Sequence, residues 1–255
     1  MAIQMLKWYK ADLHIHTVLS PCGELDMGPW GIVEKARSLG LDIIAITDHN
    51  TAGNVEAVQA VAEGDPLVIP GMEVQTQEEV HVLCLFPDYN KARLFEAYIR
   101  NYLPEIKNKE SVFGQQLIVN KAEEIIGIEE LMLLNSIKIS VEQVVIETLK
   151  QDGIVIPAHV DRSAFSLLAN LGFIPPELQL DAIEIAQPTK IKEMEKQHPQ
   201  LKEYSIVSFS DAHSLEQLQR DYYTYFFIEE PSFDEIKRAL RSEAGRRVVI
   251  GEKSS

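Results

Sequence analysis

At 255 residues, 45% hydrophobic and 25% charged, the chain has the makeup of a globular protein long enough to bury a core without disulfide or metal support. Its apolar runs fall well short of the roughly 18 residues of a membrane span, and residues 1–7 carry no signal-like apolar stretch, so no membrane partner and a cytoplasmic protein are expected. The 39 acidic and 24 basic side chains give a net charge of −15, which repels duplex nucleic acid at long range but tolerates an anionic substrate where metal ions or a few arginines reverse the potential locally. Cys22 and Cys84, the two cysteines, are far apart and read as reduced thiols.

In chain order, β-branched and aliphatic runs predict strands at 9–16, 42–47, 67–73, 80–86, 153–158, 181–185, 204–208 and 223–228. Helical periodicity predicts helices at 30–39, 55–62, 141–151, 191–197 and 233–242. Ser140 with Gln143 and Ser232 with Glu235 suggest capping boxes. Strand and helix alternating in this way predict a parallel α/β protein, and the strand count suits a closed or nearly closed barrel better than two domains. One stretch, 89–140, is charged and helix-prone, with helices expected at 91–102, 119–126 and 128–134. It reads as a helical insertion or lid within a single domain of residues 1–255, whose last five residues are expected to fray.

Histidine placement carries the functional signal. Of seven histidines, His14, His16, His49, His159 and His213 fall at or just beyond the end of an apolar run, His81 sits beside another strand opposite Glu73, and only His198 lies in a polar connector. Loops at strand ends of parallel α/β folds converge on one face. In Asp12-Leu13-His14-Ile15-His16 the two imidazoles lie i and i+2, so both project to one side of a strand. Thr47-Asp48-His49, Glu73, His159 and Asp211-Ala212-His213 end other runs. Each alone is equally a polar loop group; together they are a donor set for borderline ions such as Zn²⁺, Mn²⁺ or Fe²⁺. The eight donors His14, His16, His49, Glu73, His81, His159, Asp211 and His213 exceed what one ion uses, so two or three divalent ions bridged by a carboxylate are expected.

These motifs resemble those of the PHP (polymerase and histidinol phosphatase) family of metal-dependent phosphoesterases. The resemblance rests on Asp12-Leu13-His14-Ile15-His16-Thr17, Ile46-Thr47-Asp48-His49-Asn50, Gly71-Met72-Glu73-Val74 with His81, Ala158-His159, and Ser210-Asp211-Ala212-His213. It implies a distorted (β/α)7 barrel with a metal cluster at the strand C-termini. Carried over, it gives His14, His16, Glu73 and Asp211 to one ion, Glu73, His81 and His159 to a second, and His49 and His213 to a third. Where several members place a histidine or aspartate, this chain has Ser20-Pro21-Cys22-Gly23-Glu24. Cys22 is either a third-ion ligand or a structural thiol, and Glu24 or Asp26 could take its place.

Paired divalent ions lower the pKa of a bridging water and clamp the attacking and leaving oxygens of a phosphate ester. The expected reaction is in-line hydrolysis, with His213 or His49, whichever is less tightly bound to metal, protonating the leaving oxygen and Asp48 holding the His49 tautomer. Arg162 is either a phosphate clamp or one half of an ion pair with Asp161 or Glu184. The composition favours a small phosphorylated metabolite or nucleotide as partner, with no duplex nucleic acid and no oligomeric state assigned. Two alternatives remain. One is a phosphodiesterase or exonuclease on short oligonucleotides, for which Lys107, Lys109, Lys121 and Lys138 are diluted by glutamates. The other is a non-catalytic metal-stabilised domain, against which the full ligand set speaks.

Overall fold

The computed structural model describes residues 5–252. In chain order the elements are β1 (Lys7–Ile15), α1 (Pro29–Ser38), β2 (Ile43–Ile46), α2 (Val55–Ala62), β3 (Leu67–Gln75), β4 (His81–Leu85), α3 (Tyr89–Arg100), α4 (Glu110–Phe113), β5 (Leu117–Val119) and β6 (Ile125–Ile128). There follow α5 (Val141–Lys150), β7 (Ile154–Pro157), α6 (Leu167–Leu171), β8 (Ile183–Glu184), α7 (Ile191–Gln197), β9 (Ile206–Val207), β10 (Tyr222–Ile228), α8 (Phe233–Leu240) and β11 (Arg247–Glu252). Among the described residues no helix is long and apolar enough to cross a membrane.

Seven strands form one curled sheet in the order β11-β10-β1-β2-β3-β4-β7, and β8 and β9 form a separate parallel pair. The sheet is mixed, where the alternation of strand and helix predicts a mainly parallel one. β1, β2 and β3 are parallel, but β4 is antiparallel to both β3 and β7, and β10 to both β1 and β11. The reason is connection length. Residues 76–80 close a tight turn, with Thr76 N donating to Val80 O at 2.9 Å, and leave no room for a crossover helix. The β8–β9 pair links the sheet's two flanks: Val160 N donates to Glu184 O beyond β7, and His16 N to Ala212 O beyond β1.

Strand alternation sorts the core into two layers. Ile43 and Ala45 join Leu13, Ile69, Leu83, Ile156 and Phe226 on the inner face, plugged by Ile236 and Leu240 of α8. Ile44 and Ile46 pack outward with Val68 and Val82 against Val58 of α2 and Val144 of α5. Burial on both faces is why these strands read as unbroken apolar runs. Ser140 and Ser232 cap α5 and α8 by accepting from Gln143 N and Glu235 N. The second half of the α8 box is missing, because the Glu235 carboxylate accepts instead from Glu229 N and Arg246 Nε.

Two helices expected in 89–140 are absent. Leu117, Ile118 and Val119 pair with 125–128 as a hairpin, since β-branched side chains outweigh the charged turn between them. Asn54 laces this hairpin to the start of α2, donating through Nδ2 to Leu117 O and accepting from Val119 N. The expected fraying is likewise not seen at Gly251 and Glu252, which pair with Tyr223 and Tyr222; residues 253–255 lie outside the described residues, as do 1–4.

Candidate metal centre

The donors meet at one edge of the curled sheet. His14 and His16 end β1 where its register against β2 shifts between Asp12 and Ile15, an irregularity that re-aims side chains. His49 follows β2 and bridges Glu73 of β3. His81 opens β4, and because β4 runs the opposite way its start lies at the same edge; its backbone partner is Gln75, not Glu73. His159 follows β7, and Asp211 and His213 follow β9. His159 and Asp211 hold left-handed backbone (φ 33° and 51°), a conformation that costs a residue with a Cβ about 1–3 kcal/mol and recurs at functional sites.

Glu73 is the hub. Its two carboxylate oxygens lie 2.8 Å from His81 Nδ1, 3.1 Å from His49 Nδ1, 3.2 Å from His159 Nε2, 3.3 Å from His14 Nε2 and 3.4 Å from His16 Nε2. Asp211 Oδ1 lies 3.2 Å from the Nε2 atoms of both His14 and His16. Three donor groups, each with its atoms within 4.8 Å of one another, overlap here: His14, His16, Glu73 and Asp211; His49, Glu73 and His81; and His16, His49 and His213. His159 reaches Glu73 but joins none of the three, and His198 lies elsewhere.

The chemistry of the set fits divalent ions. Among the described residues His14 Nε2, His16 Nε2, His49 Nδ1 and Glu73 Oε2 are buried and have no hydrogen-bond partner, though they converge on one another. A buried polar atom without a partner costs about 1–3 kcal/mol, and one cation serves several such lone pairs at once.

Outer contacts fix which nitrogen faces inward. Glu184, which sequence reasoning weighed only as a partner of Arg162, is buried and accepts from His14 at Nδ1 (3.1 Å) and from His159 N (3.0 Å). Ser20 Oγ gives its one proton to Asp48 (2.7 Å), so it must accept from His16 Nδ1 (3.0 Å), which turns Nε2 to the centre. Asp48 also accepts from Thr17 N and Thr17 Oγ1, both at 2.7 Å, and makes no bond to His49. It therefore orients His16 through Ser20 instead of holding the His49 tautomer. Gln75 Oε1 accepts from His81 Nε2, and Asp211 O from His213 Nδ1.

Electrostatics separate the imidazoles. Burial pulls His14 down, but the charges of Asp211, Glu184 and Glu73 outweigh it and hold its pKa well above the ordinary value. Burial opposes, but the adjacent Asp211 and Glu73 carboxylates raise His16, to about 9. Burial, with the charges of His16 and His81 beside it, holds His49 well below the ordinary value despite Glu73. Burial and the charge of His16 lower His213 to about 4. The carboxyls of Glu73 and Asp211 would rise on burial, yet nearby histidines, His81 and His14 first, keep both well below the usual range. His49 and His213 are thus neutral at pH 7, the state that ligates and not the one that donates a proton, and added cations would lower them further.

Two candidates stand differently from expectation. Cys22 is exposed and belongs to no donor group, and partial loss of water, with the charges of Glu73 and Asp211, pushes its thiol up, away from the thiolate a metal needs. Arg162 pairs with neither Asp161 nor Glu184: its Nη1 lies 2.7 Å from Asp211 Oδ2 with 46% of the side chain exposed, while Asp161 accepts from Ala186 N and Gln187 N.

Comparison with known proteins bears on this geometry. The PHP domain model matches residues 12–154. Over 78 residues the chain is 38% identical to an uncharacterized protein of Methanocaldococcus jannaschii, MJ1587, covering 27% of this chain and 46% of that one. The lesion-specific endonuclease PfuEndoQ from Pyrococcus furiosus superposes with a TM-score of 0.69 at 20% identity, over 95% of this chain and 58% of its own. Endonuclease Q in complex with a 27-mer duplex, an abasic lesion at its active site, gives 0.69 at 20% over 94% and 58%. A two-domain protein of Bacteroides vulgatus containing a predicted PHP-like metal-dependent phosphoesterase gives 0.57 at 17% over 97% and 66%. The chain thus spans about half of the curated relative and under two thirds of these structural neighbours.

Proposed function

This chain belongs to the PHP domain family, and from that premise we propose that it is a metal-dependent phosphoesterase cutting a phosphodiester link in nucleic acid. The observation that carries the metal-dependent reading is the ring of five imidazoles around the buried Glu73 carboxylate, with unpartnered lone pairs facing one another. The nucleic-acid reading is supported by the fold shared with Endonuclease Q.

It replaces the small phosphorylated partner and the exclusion of duplex nucleic acid expected from composition, because a protein whose fold overlaps 94% of this chain is seen with a duplex at its active site. Net charge misleads here for a physical reason. It sums the whole surface, whereas charges beyond about 8 Å are screened at physiological salt, so an approaching phosphate meets mainly the groups around the mouth.

In this reading His14, His16, Glu73 and Asp211 would hold one ion, Glu73, His81 and His159 a second, and His49 and His213 a third. Bound divalent ions supply Lewis-acid neutralisation of the phosphate and a water of lowered pKa. The chain's own groups do the rest. Glu184 and the Asp48–Ser20 pair keep His14 and His16 turned inward, and Arg162, anchored on Asp211, offers the remaining edge of its guanidinium to a phosphate oxygen. His49 and His213 stay neutral and serve as ligands. The free thiols Cys22 and Cys84 suit a reducing, cytoplasmic setting. The test is cleavage of a labelled duplex after chelation and after return of Mn²⁺ or Zn²⁺: chelation should abolish and metal restore cleavage, and cleavage untouched by chelator would refute the proposal.

A further inference from the structure

Beside the metal centre lies a cavity of about 420 Å³ whose wall includes His159, Arg162, Phe165 and Lys190. The loop carrying Arg162 and Phe165 is pinned at several points. Val160 N donates to Glu184 O, Asp161 ties it to residues 186–187, Ser166 Oγ donates to Arg162 O at 2.8 Å, and His81 N donates to Phe165 O at 3.1 Å. Within this frame Phe165 holds a left-handed backbone (φ 55°), costly for an aromatic residue, while the residue remains 44% exposed. The ring stacks on the ligand-set imidazole of His81, centroids 5.1 Å apart at 25°.

Folding gains little from an exposed ring on a strained backbone, so its position calls for a partner. Two cations share the cavity with it. One is Arg162; the other is Lys190, exposed and without an ion pair among the described residues. A flat apolar face next to cations, at the edge of a centre that cuts phosphodiesters, matches one chemistry: a base to stack and a phosphate to neutralise. A base inside a duplex has both faces covered by its neighbours, so it cannot present one to Phe165.

Resting on the phosphodiesterase reading, we infer that this cavity receives an unpaired nucleotide flanking the scissile link, with its base on the Phe165 ring and its phosphate on Lys190. The chain then selects bulged or extruded nucleotides over fully paired ones.

The test compares a fully paired duplex with one carrying a single bulged adenine, using the Mn²⁺-loaded full chain. Binding is read by anisotropy with phosphorothioate links around the bulge, and cleavage by a gel on unmodified strands. The wild-type chain should bind and cut the bulged duplex preferentially. Phe165→Ala should weaken binding to the bulged duplex about 10-fold with paired binding and metal content unchanged, the loss appearing in KM more than kcat. Phe165→Trp should restore it, and Lys190→Ala should weaken bulged binding as well. Should Phe165→Ala lose metal, Phe165→Leu, which fills similar space without a π face, replaces it with the same expectation. Wild-type cleavage with no bulge preference, or a preference that survives Phe165→Ala and Phe165→Leu, overturns the inference while leaving the phosphodiesterase reading intact. Bulge-specific, Phe165-dependent binding without cleavage supports the inference and refutes that reading; neither binding nor cleavage refutes both.

Discussion

Glu184 gives the sharpest handle on how the centre is held. It is 1% exposed, and its Oε2 takes both the His14 Nδ1 proton and the His159 backbone proton, at 3.1 and 3.0 Å. Glu184→Gln keeps the shape and an acceptor oxygen but removes the charge that raises His14 basicity. Glu184→Ala removes the acceptor too, leaving His14 free to rotate and His159 N unmet in a dry interior. Removing such supporting groups typically costs about 10–100-fold in metal affinity, so Gln should fall near the low end and Ala near the high end, about 1.4 and 2.8 kcal/mol at tenfold per 1.4 kcal/mol. Competition against a chromophoric chelator measures this directly, with His198→Ala, outside every donor group, as the unaffected control. Wild-type affinity in both Glu184 variants would refute the argument that this carboxylate orients the first ligand.

Three further outcomes follow. Asp48→Asn should lower stability in denaturant unfolding by about 1–3 kcal/mol, because one of three donors from Thr17 and Ser20 would face an amide N–H; an unchanged midpoint would contradict it. Arg162→Ala should reduce kcat/KM on DNA about 10-fold when assayed at saturating metal, the scale of a charge-assisted contact, and unaltered kinetics would remove Arg162 from the substrate. The third concerns pH. His16, raised to about 9 in the metal-free protein, contributes stability that is fully present below its ordinary value and lost as pH rises through about 9. The same proton must leave before a metal can bind, so apparent metal affinity should rise with pH up to about 9, and metal uptake at pH 7 should release protons in calorimetry across buffers of different ionisation enthalpy. Uptake without proton release would contradict the protonated His16.

Much of the site is legible because its donors are punctuation: a histidine or acid closing an apolar run has no packing reason to be there, and His14, His16, His49, His159 and Asp211 all stand in that position. Helices α1, α2, α5 and α8 were equally readable, since an apolar stripe is a local signal, reinforced in α5 and α8 by a serine cap. The role of Glu184 at His14 escaped notice because one acid in Asp181-Ala182-Ile183-Glu184-Ile185 looks like the wet face of an alternating strand, and only the tertiary path of β8 brings it to His14. The reversal of β10 was hidden for a similar reason, as apolar runs carry no direction. β11 escaped because the flanking charges of Arg247 and Glu252 mask an edge strand. The hairpin at Leu117–Val119 shows β-branching overriding a charged, helix-like composition. The partner was misjudged because a net charge is a sum and recognition is local.

The account's central claim is that the ring around Glu73 is a multinuclear metal centre. Elemental analysis of the chain after stripping, reconstitution with Mn²⁺ or Zn²⁺ and desalting tests it most directly, alongside Glu73→Gln. At least two ions per chain are expected in the wild-type protein, given the overlapping donor groups, and fewer in the variant, which loses a carboxylate oxygen shared between them. A metal-free wild-type protein, or a variant that retains the full complement, would contradict it.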